Sequence, residues 1–138
     1  MVSARVLPIG HANDGSGSIR IPAACCGVFG LKPSRGRVSA APDFDEVLSG
    51  FGVEFILSRT VRDSAAMLDH VHGPAVGEYM EIAPPAEPYS QAIGRNLKPL
   101  RIGLLAERLD GGQFAPEVAL ALIQAAKTSF IGKSNTTA

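Results

Sequence analysis

A chain of 138 residues with no net charge, 46% hydrophobic residues and 19% charged residues has the makeup of one globular domain rather than a disordered segment. The neutral balance gives no electrostatic footprint for nucleic acid, and no apolar run reaches the length of a membrane span. The two cysteines are neighbours, Cys25 and Cys26. A bridge between them would be strained, so a disulfide framework is excluded and a reducing cytoplasm is the expected compartment. Residues Met1 to Pro8 hold no long apolar stretch and do not form a signal peptide.

Taken in order, Val6 to Ile9 is a short apolar run that reads as a buried strand end. Residues 10–17 form a glycine-rich loop. A helix is expected over Ser18 to Cys26, with Ser18 as its cap, Pro22 tolerated in its first turn and Gly27 ending it. Val28 to Leu31 reads as a second short strand, followed by a basic turn from Lys32 to Arg37. Residues 39–50 read as loop, and Phe51 to Leu57, rich in β-branched and aromatic residues, as a strand. Thr60 then caps a helix, with Asp63 three residues on and Val61, Ala65, Leu68 and Val71 at helical spacing. The proline-rich segment 73–99 is a long connection with a short helix near Tyr89 to Ile93. Leu100 to Leu105 reads as a strand, and Pro116 opens a last helix with Val118, Leu122 and Ala126 on one face. Strands alternating with helices give an α/β class. The polar tail 127–138 reads either as a frayed terminus or as a sequence junction.

The run Asp14-Gly15-Ser16-Gly17-Ser18-Ile19-Arg20-Ile21-Pro22-Ala23 carries the chemistry. A loop of small residues lets backbone N–H groups converge beside a hydroxyl, the geometry that holds an oxyanion next to a nucleophile. The residues alone leave two readings of Ser18, a nucleophile or a helix cap in a tight turn. They also leave two of Asp14 and Arg20, a pair bracing the loop or independent surface charges.

The same run resembles the core of the amidase signature family, whose pattern is close to D-x-G-G-S-I-R-x-P-A. The likeness continues through Cys26 to Val38 and again through Ser58 to Asp69, covering roughly residues 2–125. It implies a portion of an α/β/α sandwich with a mixed central sheet, held in residues 1–126, with 127–138 unlike the family. It further implies hydrolysis of a small-molecule amide by a Ser–cis-Ser–Lys triad. By carry-over Ser18 is the acylated nucleophile. The backbone N–H groups of Gly15, Ser16 and Gly17 form the oxyanion hole, and Asp14 and Arg20 support the loop. No cofactor, metal, nucleic acid or membrane is implied, and the oligomeric state stays open. Ile21 and the stretch Phe51 to Leu57 look most like bacterial amidases, among them relatives of the 6-aminohexanoate cyclic-dimer hydrolases. They look less like the amidotransferase subunit that makes glutaminyl-tRNA.

The resemblance also has gaps. The family's second serine and its lysine lie well before the nucleophile, whereas 17 residues precede Ser18, and Ser3, Ser16 and Lys32 match neither. The chain alone is therefore expected to be inactive, with Met1 an internal methionine of a longer reading frame. The alternatives are a truncated or pseudogene remnant acting at most as a binding piece, and an independent small binding domain. Ser16 stands where the family prefers glycine, and would be strained if that position needs a positive φ. Of the remaining motifs, Cys25 and Cys26 read as small buried helix residues. His70 and His72 point to different faces of a helix. His11 lacks the G-x-S-x-G setting of a hydrolase triad. Lys32, Arg35 and Arg37 read as a solvated turn. Gly132-Lys133-Ser134 lacks the upstream glycine of a phosphate loop, and the sequon Asn135-Thr136-Thr137 has no secretory context.

Overall fold

The computed structural model describes residues 1–44, 46–95, 103–105 and 108–129, with the side chains of Thr128 and Ser129 excepted. Two compact units divide the chain after Arg95.

In the first unit, β1 (Ile9–Asp14) pairs antiparallel with β3 (Val53–Ser58), from Ile9 opposite Ser58 to Asp14 opposite Val53. The two-residue β2 (Phe29–Gly30) lies on the other side of β3, also antiparallel, so the strand order is β1–β3–β2. β1 and β2 thus run parallel to one another, joined through the helix α1 (Arg20–Cys26). β3 is the central strand, and its sequence suits that place. Val53, Phe55, Ile56 and Ser58 are buried, so both of its faces are covered. Ile19, Phe55, Ile56 and Leu68 form the core, with Ile9, Ala12, Leu31, Val38, Met67 and Val71 packed around it.

The helix α2 (Val61–Val71) starts as its sequence dictates, for Asp63 N–H donates to Thr60 Oγ1 at 3.1 Å. It buries Ser64, Ala65 and Leu68, whereas Val61 is exposed. Ser58 donates to or accepts from Ser64 at 2.9 Å, and its Oγ lies 2.8 Å from the Thr60 carbonyl, which ties the end of β3 to the start of α2. The Asp69 carboxylate accepts the Tyr89 and Ser90 N–H groups at 2.6 and 3.0 Å and so docks the short α3 (Tyr89–Ala92). The connection before α3 is held in part by Arg37, which donates to the Ala83 carbonyl, and by Glu78, which accepts from Ser39.

Several expectations need correction. Val6 and Leu7 are 64% and 41% exposed and lie outside the sheet. Pro8 has no N–H to give a ladder, so pairing begins at Ile9 and runs to Asp14, through much of the segment expected to be loop. α1 begins at Arg20 rather than Ser18, and it ends at Gly27, whose left-handed backbone (φ 62°) caps it. Cys25 and Cys26 are free and exposed, not buried, because α1 turns them away from the sheet. The strands among the described residues all pair antiparallel.

In the second unit, Pro116–Ser129 forms α4 as expected from its opening proline. Leu122 and Ala126 are partly covered, while Val118 is half exposed. Of the strand expected over Leu100 to Leu105, residues 100–102 lie outside the described residues, and Gly103 to Leu105 form no strand with other described residues. Most of the tail 127–138 also lies outside the described residues.

Candidate functional site

The end of β1 delivers Asp14 into the interior, where it is fully buried. Its carboxylate organises the turn that follows. Gly17 N–H donates to Oδ1 at 2.6 Å, and the N–H groups of Ile19 and Arg20 donate to Oδ2, each at 3.3 Å. The Arg20 guanidinium adds two charge-assisted bonds, Nε to Oδ2 at 2.8 Å and Nη2 to Oδ1 at 3.0 Å. The Arg20 guanidinium, and then the three backbone donors, hold the Asp14 carboxyl far below the usual carboxylate range against the opposing effect of burial. The same pairing raises the Arg20 pKa. The brace between Asp14 and Arg20 is thus present, and independent surface charges are not what the structure holds.

This arrangement also decides the local role of Ser18. The residue preceding α1 is Ile19, with no side-chain cap, and the orphan N–H groups of the first turn go to Asp14. Ser18 therefore does not cap the helix. It is exposed, and its hydroxyl has no hydrogen-bond partner among the described residues. Ile19 behind it is wholly buried and anchors the turn to the core. Gly17 carries the unusual backbone, with φ 123° and a position where a Cβ would meet Ile21 Cδ1 at 2.5 Å. The condition set for strain at Ser16 is not met. Positive φ among described non-glycine residues is confined to Arg5, Leu48 and Ser49. Of the three residues expected to supply the oxyanion hole, Gly15 and Ser16 lie in the turn beside Ser18, whereas the Gly17 N–H is committed to Asp14.

One neighbour of the turn is invisible in the sequence. The pairing of Asp14 with Val53 sets the loop entering β3 beside the loop leaving β1. Leu48 consequently lies on Gly15, and a Cβ at Gly15 would fall 2.3 Å from Leu48 Cδ1.

His11 takes no part. It is three residues from Asp14 along β1 and so faces the other side of the sheet, where Nε2 lies 2.9 Å from Glu54 Oε2. On that side a groove of about 570 Å³ is lined by His11, Asn13, Glu54, Ile56, Met67 and Val71. His70 contacts the Ala66 carbonyl and His72 stacks edge-on against Tyr89. Among the described residues no group of His, Cys, Asp and Glu could hold a metal ion, and no helix is long and apolar enough to cross a membrane.

The chain is 45% identical over 125 residues to the 6-aminohexanoate-cyclic-dimer hydrolase of Paenarthrobacter ureafaciens, covering 87% of this chain and 25% of that protein. It is 58% identical over 66 residues to a putative amidase of Mycobacterium tuberculosis (strain ATCC 25618 / H37Rv), covering 48% of this chain and 14% of that protein. A solved structure of 6-aminohexanoate cyclic dimer hydrolase with substrate superposes with a TM-score of 0.84 at 39% identity, over 93% of this chain and 27% of that one. The chain thus spans about a quarter of the length of the 6-aminohexanoate-cyclic-dimer hydrolases it matches. The Amidase family model matches residues 1–128, and on that match the chain belongs to the amidase signature family, whose solved members have an α/β fold.

Proposed function

We propose that this chain is the nucleophile-bearing segment of an amidase that hydrolyses the C–N bond of a small-molecule carboxamide. The observation that carries the reading is the Asp14 brace. By taking the N–H groups of Gly17, Ile19 and Arg20 it leaves the Ser18 hydroxyl uncommitted and exposed at the head of α1. In this reading Ser18 Oγ attacks the carbonyl carbon while its proton passes through the family's second serine to a neutral lysine. Neither of those partners has a counterpart in residues 1–138. The carbonyl π electrons move onto oxygen, which the N–H groups of Gly15, Ser16 and Ser18 receive. Collapse breaks the C–N bond, and the nitrogen leaves with the proton that Ser18 gave up. Water then attacks the acyl ester, releasing the acid and restoring Ser18.

The wider enzyme would complete the three strands seen here into the mixed sheet of an α/β/α sandwich. The similarity to 6-aminohexanoate-cyclic-dimer hydrolases points to an amide of an aliphatic amino acid as the substrate class.

The test is a completed enzyme, in which residues 1–128 replace the matching quarter of the Paenarthrobacter ureafaciens hydrolase. Ser18→Ala is expected to lower turnover of 6-aminohexanoate cyclic dimer by about four orders of magnitude or more. The melting temperature should change little, since Ser18 is exposed and its hydroxyl holds none of the fold's described hydrogen bonds. Full turnover in Ser18→Ala would show that Ser18 is not the nucleophile.

A further inference from the structure

The loop that enters β3 has an unusual backbone. Leu48 and Ser49 adopt φ of 51° and 53°, and Gly50 follows at 80°. Two successive non-glycine residues in the left-handed region are uncommon, and a leucine there, where glycine or asparagine fits without cost, calls for a reason. The turn is held by hydrogen bonds: Phe51 N–H donates to the Leu48 carbonyl at 3.1 Å, Gly52 N–H to the Val47 carbonyl at 2.8 Å, and Glu46 accepts from the Tyr79 hydroxyl. Leu48 is nevertheless 67% exposed, and its side chain lies against Gly15. Among the described residues its side chain lies against the turn that carries Ser18.

We propose that Leu48 is a specificity-determining residue of the Ser18 site, forming an apolar wall against the acyl group of the substrate. The proposal rests on Ser18 being the nucleophile. If the acyl oxygen sits on the N–H groups beginning at Gly15, the carbonyl carbon and its substituents lie next to the Leu48 side chain. Of the two substituents, the leaving nitrogen must receive a proton and so has to face the acid–base groups. The acyl chain is left to the leucine. Leu48 therefore favours amides whose acyl group carries an aliphatic chain over those with a short or polar one.

In the completed enzyme, the probes are the p-nitroanilides of acetic and hexanoic acid. Leu48→Ala is expected to lower kcat/KM for the hexanoyl substrate about 10-fold, through KM, and to change the acetyl substrate by less than about 2-fold. Leu48→Met, which keeps the apolar contact, should restore the preference, and covers the case in which the alanine variant does not fold. An equal loss on both substrates, or no change on either, would overturn the proposal. Hydrolysis of both anilides by Ser18→Ala would instead remove the nucleophile reading and leave the two failures distinct.

Discussion

At Gly17 the turn demands what only glycine supplies without strain. With φ 123° and Ile21 against the missing Cβ, Gly17→Ala should destabilise the fold by about 1–2 kcal/mol. Ser16→Gly should bring no comparable gain, because Ser16 does not occupy that region; thermal unfolding of the two variants separates the positions. Asp14 adds a pH signature. Its carboxyl is held below the usual range in the folded state. The stabilisation it gives is fully present above the unfolded value of about 3.9 and is lost as pH falls from there toward the lower folded value. The gap in melting temperature between the parent and Asp14→Asn should be constant from about pH 7 to 5 and narrow below about pH 4. A gap that widened on acidification would contradict the brace. The motif Asp14 to Ala23 stood out in the sequence because its residue types are dense with chemistry. What could not be read was the division of donors, since whether Gly17 N–H serves Asp14 or a substrate depends on side-chain placement.

Among the elements, α2 is the one whose sequence and structure agree most closely. Thr60→Ala removes the acceptor for the Asp63 N–H and should cost about 1 kcal/mol, whereas Thr60→Ser should cost a few tenths, read from denaturant unfolding. β3 was legible from its β-branched and aromatic content, displaced by one or two residues, because Gly52 and Phe51 belong to the turn that precedes it. β1 was not. Gly10, His11, Ala12 and Asn13 have weak strand preference, and they extend only because β3 offers a ladder beside them. The contact of Leu48 with Gly15 was equally hidden, for it follows from strand register and from nothing local.

At the scale of the molecule, the exposed faces decide what the chain can do by itself. Ile21, Phe44, Leu48, Phe51 and Val61 are all more than half exposed, and the groove under β1 and β3 is open. The chain alone should show no amide turnover above background and should associate at micromolar concentration, checked by p-nitroanilide assay and light scattering. A monomer with Ser18-dependent turnover would contradict both statements. The family was legible over most of the chain because its motifs recur along it. The sandwich was not, since three strands do not define a larger sheet. The β1–β3 register has a last consequence, for biosynthesis. Ile9 pairs with Ser58, so this ladder of the strand that carries Asp14 forms only after residues 53–58 have left the ribosome. At about 5–20 residues per second that is a delay of some seconds. The turn that carries Ser18 is thus translated before the strand that pairs beside it. A pause introduced between residues 31 and 52 would lengthen the time the nascent chain spends with that ladder unformed and open to chaperones and proteases.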